Sequence, residues 1–457
     1  MKRRIIDLGM LYFGKFGALA VGFFLMPAYS HYLGSASFST VAFVLSLVNA
    51  AVTLDFGMST IIGRDSSDST ISNDKKYKQF LASQFLVIFF YLSIFSVVVM
   101  YFLLFQKEIL EIKIIFLSIV LIMSSLIQNI SVSYLNGIKE FKVSGAFIFL
   151  SVMLRGIISL LVIKYIDNNI ISFMSAQSII GFLFAFIFML LPSRLDKNLK
   201  MNNKLGGFFE PSLYIKYLLP LVKKGIPLLF MGVSATLVMQ FDKFILSYYA
   251  SDATLSAYYL AFTFSTIPIL AIAGPIKQYF QPHIVSYLTQ NNVLYRKNSI
   301  VFFWCLIVFV AVPSALGYSS LYQVLSIWLG HNELIDKVDF FSHILLPAFV
   351  FGAISYFPSV LLVAAEDYKF QSVFAIITSI IFVFLLLIIA ITGNIRFIPW
   401  LFIGYFCVVI LFCSIRCLSL TKVNVCIFDM VKNSPFAILI IALSYWIGDI
   451  LSTMIFK

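Results

Sequence analysis

Polar and apolar positions in this chain alternate in long blocks, not with the short periods of amphipathic strands or surface helices. A helix needs roughly 20 mainly apolar residues to cross the hydrocarbon core of a bilayer, and runs of that length follow one another from end to end. They predict spans near 8–31, 38–60, 80–104, 113–133, 145–165, 170–191, 225–248, 255–276, 299–320, 341–363, 371–391, 398–415 and 435–455. That makes thirteen, within an expected range of twelve to fourteen. Only helices and closed barrels satisfy their backbone inside lipid, and runs this long are helical. The predicted fold class is therefore an all-α polytopic membrane protein.

The polar blocks supply an independent signal. With the N-terminus on the cytoplasmic side, the inside segments hold 23 basic residues and the outside segments six. The outside six are Lys107, Lys113, Lys164, Lys337, Arg396 and Lys457. Such a split follows the positive-inside rule and predicts a cytoplasmic N-terminus. Misplacing one span would scramble the alternation, so the charges and the span map support each other.

Composition narrows the function classes. The 457 residues are 61% hydrophobic and 11% charged, with 50 Phe, and the mean hydropathy is +1.00. A soluble domain of this size would have to build its surface from Phe, Ile and Leu. The net charge of +12 needs no nucleic-acid partner, because basic inner loops lie against anionic lipid headgroups. The first apolar run resembles a signal peptide, but its length and lack of a small-residue cleavage site make it a retained helix. Five cysteines, in or near spans, show no metal or redox spacing. Neither a phosphate-binding Gly-Lys loop nor a zinc-protease, serine-hydrolase or kinase motif occurs. The expectation is a protein that is not an enzyme and uses no cofactor or metal.

The longest polar interval, 192–224, carries seven basic residues and reads as a cytoplasmic linker. It divides the chain into an N-terminal six-helix lobe (1–191) and a C-terminal six-helix lobe (225–418), followed by a cytoplasmic segment and extra helix (419–457). A weak repeat joins the lobes. Ser30, Tyr32, Ala36 and Ser39 recur as Ser247, Tyr249, Ala253 and Ser256, at a constant offset of 217, in the outer turn after the first span of each lobe. Parallel lobes of this kind predict a central cavity and transport by alternating access.

Ionisable residues inside spans are costly and face a partner, water or a substrate. Arg155 lies near mid-span and cannot deprotonate, so it is the leading candidate to bind an anionic substrate. Lys15, about two turns into the first span, either joins it or snorkels to the headgroups. Asp242 and Lys243 sit in the seventh span. Neighbours project about 100° apart on a helix, so they are expected to face different surfaces, with Asp242 a candidate proton or sodium site. Asp55 and Arg64 flank the inner end of the second span and Lys277 closes the eighth, at the depth where a phosphate headgroup would first meet protein. Asp55 is the second candidate coupling residue; Lys243, Lys277 and Arg64 complete the candidate substrate-binding set.

Several of these residues fall in motifs. Tyr32-Leu33-Gly34, Asp55-Phe56-Gly57 and Arg64, with Gly225-Ile226-Pro227 opening the seventh span, the Asp242-Lys243 pair and Gln281-Pro282-His283 after the eighth, resemble the pattern of O-antigen and polysaccharide flippases. These belong to the multidrug/oligosaccharidyl-lipid/polysaccharide exporter (MOP) superfamily. Ala257 stands where a Gly-rich element is expected, and the thirteenth span lacks a mate. The resemblance implies flipping of a polyprenyl-diphosphate-linked oligosaccharide, an O-antigen or capsular repeat unit, from the inner to the outer leaflet of the bacterial inner membrane. It implies as partners that lipid-linked substrate, membrane lipids, and the polymerase and chain-length proteins of a lipopolysaccharide-type pathway. Two alternatives remain at this stage: a cation-coupled multidrug antiporter on the same fold, and a membrane polysaccharide polymerase or ligase. The antiporter would favour acidic residues in its cavity, and the polymerase or ligase a large outer loop.

Overall fold

A computed structural model describes residues 17, 20–53, 55, 57–67, 72–105, 109–138, 140–195, 211–289, 292–330, 332–365 and 367–455. Among them there is no strand, and eleven helices are long and apolar enough to cross a membrane. In chain order the α-helices are α1 (Met26–Thr53), α2 (Met58–Ser67), α3 (Asn73–Phe105), α4 (Ile109–Gly137), α5 (Phe141–Tyr165), α6 (Ile170–Leu195), α7 (Pro211–Tyr249), α8 (Asp252–Ser265) and α9 (Gly274–Thr289). There follow α10 (Leu294–Leu306), α11 (Val312–Tyr318), α12 (Leu321–Leu329), α13 (Ile335–Ile354), α14 (Tyr356–Ala364), α15 (Tyr368–Ile391), α16 (Ile398–Ser419) and α17 (Asn424–Ile455).

The chain divides into two compact units. One comprises Met1–Val21 and Ala28–Phe244, the other Gly22–Pro27 and Ile245–Lys457. The turn expected within each opening hairpin is present as a helix break. Within α1 the backbone leaves helical geometry at Gly34, with φ 73° and ψ 167°, a region that only glycine enters without strain. The second break falls at Ala250–Ser251, between α7 and α8, where the Ser251 side chain accepts a hydrogen bond from the Thr254 N–H and caps α8. Positions 34 and 251 differ by 217, so the repeat offset superposes the two breaks.

In the first unit α4 packs against α2, α3 and α6, and α5 against α6. Lipid supplies no hydrophobic force between helices, so interhelical hydrogen bonds and close packing hold such bundles together. α4 is stapled on two sides. The Gln84 amide of α3 donates to Ile127 O (3.2 Å) and Ser131 Oγ (3.0 Å). The Gln128 amide of α4 donates to Gly181 O of α6 (2.9 Å), while its oxygen accepts from Ser151 of α5 (2.9 Å). Gly137 allows α4 to approach α2 closely; a Cβ there would stand 2.5 Å from Ser66 Cβ and 2.7 Å from Gly63 O.

In the second unit α13 is the hub, against α8 and α16. Its core is aromatic: Phe262 meets Phe349 at 5.1 Å and Phe402 at 5.9 Å between ring centroids, and Phe382 meets Phe402 at 5.1 Å. Burial separates hub from periphery. Ten of the 20 residues of α13 are buried, whereas six of the 32 in α17 are. α17 therefore turns most of its apolar surface, including Phe436, Trp446 and Met454, outward. Two ion pairs tie its unit together: Arg296 grips both carboxylate oxygens of Asp429 (2.5 and 2.7 Å), and Arg416 Nε donates to Asp367 (2.6 Å).

Candidate functional site

Arg155 occupies the middle of α5, fourteen residues after Phe141 in a helix of 25. Its side chain is half-buried. Among the described residues no carboxylate lies within ion-pair distance of it. Its electrostatic neighbour is Tyr29 of α1, a fully buried ring set edge-on to Phe173 at 4.9 Å. The Tyr29 hydroxyl donates to Gly156 O at 2.7 Å, which fastens α1 to α5 beside the guanidinium and spends the phenol's proton there. What results is a cation with five donors and no carboxylate among the described residues to satisfy them. Such a group suits an incoming carboxylate or phosphate, which a guanidinium holds bidentately. Nothing in the sequence singles out Tyr29 among 23 tyrosines; its role exists only once α1 and α5 are side by side.

Asp242 and Lys243 are the correction. The angular argument sends them to different surfaces, but the Lys243 ammonium folds back along α7 to donate to both Asp242 oxygens (3.0 and 3.3 Å) and to Met239 O (2.5 Å). The 100° separation applies to Cβ directions, and four methylenes are long enough to undo it. Both side chains are buried, at 0% and 1% exposure. The two charges lie against each other in the interior, as burying an ion pair requires.

The other candidates occupy separate places. Asp55 accepts hydrogen bonds from the Gly57 N–H and the Ser59 N–H, both at 2.9 Å, so its carboxylate caps the start of α2. Gly57 takes φ 66° in the same turn. Here the Asp-X-Gly element is turn chemistry: the acid satisfies orphan N–H groups and the glycine accepts the left-handed backbone. Arg64 lies on α2, with its side chain outside the described residues, as is the whole of Lys15. Lys277, on α9 of the second unit, holds its ammonium 4.5 Å from the centre of the Tyr356 ring, a cation–π contact. Arg155 and Lys243 thus share the first unit without a shared contact, and Lys277 belongs to the second. Among the described residues no group of three or more His, Cys, Asp or Glu side chains could hold a metal ion, and the cysteines are free thiols.

A family profile described as "Polysaccharide biosynthesis protein" matches residues 32–332. No curated protein matches the sequence significantly. Among solved structures, the lipid II flippase MurJ in an inward closed conformation is 16% identical, with a TM-score of 0.65 over 99% of this chain and 100% of that one. A mutant of the Vibrio cholerae MATE transporter VcmN is 14% identical, with a TM-score of 0.61 over 93% of this chain and 98% of that one. A MOP superfamily transporter from Pyrococcus furiosus, described as having a binding pocket of reverse polarity, is 14% identical, with a TM-score of 0.58 over 90% and 95%. At such identities the likeness is one of fold. The profile spans well over half of the sequence, and the chain belongs to the polysaccharide biosynthesis protein family, on the fold of MOP superfamily transporters.

Proposed function

We propose that this protein flips a polyprenyl-diphosphate-linked oligosaccharide from the inner to the outer leaflet of the bacterial inner membrane, by alternating access and with the N-terminus cytoplasmic. The observation that carries the reading is Arg155: a mid-span guanidinium with no carboxylate partner among the described residues. A diphosphate bearing a polar glycan cannot cross hydrocarbon unaided. A cation held at mid-depth lowers that barrier by forming charge-assisted hydrogen bonds with the diphosphate. Lys277, Arg64 and Lys15 stay in the proposal on their sequence positions alone, near the inner ends of spans where the basic loops gather.

Ion coupling belongs to the same proposal and rests on the buried Asp242–Lys243 pair. Protonating Asp242 would remove the negative charge that the Lys243 ammonium meets at 3.0 Å. That is an unstable arrangement, which a change of state at α7 could relieve. Asp55 is left to the α2 cap, since both its oxygens already hold N–H groups. The antiporter alternative would need a carboxylate ready for a cationic drug, and both candidate acids are engaged within the protein.

Complementation tests the proposal. Wild type, Arg155→Ala and Arg155→Lys are expressed at equal membrane levels in a bacterium lacking its own polysaccharide flippase, and surface polysaccharide is measured. Rescue by wild type with loss in Arg155→Ala is the expected result. Full rescue by Arg155→Ala would remove the anion-binding role.

A further inference from the structure

Three segments far apart in sequence meet at one end of the second unit: the first turn of α8, the first turns of α13, and the turn between α15 and α16. All three fall in or beside stretches assigned to the outer side by the charge pattern. Together they line a cleft of about 640 Å³, within the range of small-molecule sites. Its charged side chains are Asp336, Lys337 and Arg396, its neutral polar ones Thr254 and Asn394. Phe340 and Phe397 expose 43% and 56% of their surface, and Phe341, 3% exposed, packs edge-on against Tyr258 at 5.4 Å.

Two features distinguish this cleft from an ordinary charged surface. Asp336, Lys337 and Arg396 form no ion pair with one another or with any other described residue, although both signs of charge border one space. The frame is also fixed: Gly393 takes φ 73°, and the Phe397 N–H donates to Asn394 O at 2.9 Å, setting Asn394, Arg396 and Phe397 on a tight turn. Exposed aromatic faces beside planar amide, carboxylate and guanidinium groups match the alternating apolar and hydroxylated faces of a pyranose ring. The excess of one cation selects a sugar bearing a carboxylate.

We infer that this outer cleft binds an acidic oligosaccharide, the uronate-bearing glycan of the lipid-linked substrate as it reaches the outer leaflet. The inference rests on the flippase reading. The site would hold the sugar end after the diphosphate has crossed, disfavouring its return.

The test is calorimetric titration of the full chain in phosphatidylcholine nanodiscs with trigalacturonate, with maltotriose and inorganic phosphate as comparators. Trigalacturonate is expected to bind at least tenfold tighter than either comparator, and Arg396→Ala and Lys337→Ala each to weaken it about tenfold, the effect of one charge-assisted contact. Phe397→Ala should weaken it too, which a simple anion site would not show. The inference is overturned if wild type shows no saturable binding, if phosphate binds equally well, or if both charge variants bind as wild type does. Arg155→Ala separates the two ideas. Normal titration by a variant that fails to complement leaves both intact. Wild-type complementation without titration removes the outer site alone, and titration by a wild type that does not complement removes the flippase reading alone.

Discussion

Replacing Arg155 by Leu should make the protein more stable and abolish its transport. Arg155 stands fourteen residues into α5, roughly 21 Å along a helix of roughly 37 Å, and so near mid-depth. Insertion scales place the penalty for a cation there at about 2.5–3.5 kcal/mol. No carboxylate among the described residues offsets it, and the Tyr29 hydroxyl is committed to Gly156 O. Half-burial leaves the guanidinium some access to water, so we take about 1–3 kcal/mol as the gain from a leucine that fills the place of the stem. For 457 residues that corresponds to a rise of roughly 1–3 °C in the unfolding midpoint, measured on purified protein in one detergent. Surface polysaccharide in the flippase-deficient strain should fall to background. Arg155→Lys keeps the charge but loses the bidentate fork and should transport partially, without the stability gain. If Arg155→Leu lowered the midpoint, Arg155 would be holding helices together and not awaiting a ligand. If it transported normally, the anion-binding argument would fail even with the stability gain.

Other consequences follow from particular contacts. Asp242→Asn removes the carboxylate that the buried Lys243 ammonium meets at 3.0 Å and should destabilise by about 3–5 kcal/mol. Asp242→Asn combined with Lys243→Met should refold the unit, and flipping in sealed vesicles should then ignore both proton and sodium gradients; a persisting response would exclude this pair as the coupling site. Gln128→Leu removes the hydrogen bonds to Gly181 O and Ser151 and should cost about 0.6–1.7 kcal/mol, read by thermal unfolding, with transport retained. Gly448 of α17 packs directly on the Leu316 backbone of α11. Gly448→Leu should free α17 and raise protease accessibility near its ends, whereas unchanged digestion would show that the helix docks without that contact.

Much of this protein is determined locally and so is legible in the sequence. Whether a segment enters a membrane depends on its own apolar length, and which side a loop occupies depends on its own lysines and arginines. For that reason the chain reads as helical and polytopic without any knowledge of contacts. The turn at Gly34, its counterpart at Ser251 and the Asp55-X-Gly57 element are equally local, each set by a few neighbouring residues. The functions of the charged residues are not local. Asp242 and Lys243 project apart by helical geometry, and only the length and flexibility of the lysine stem brings them together. Arg155 looks equally charged in any helix; that no carboxylate among the described residues meets it depends on which faces of α1 and α6 pack beside α5. Residues 254, 336 and 396 line one cleft only because three segments far apart in sequence converge. In a bundle whose helices are apolar all round, hydrophobic periodicity cannot say which face meets which neighbour. Polar contacts between helices are therefore decided by tertiary packing, and with them the substrate chemistry.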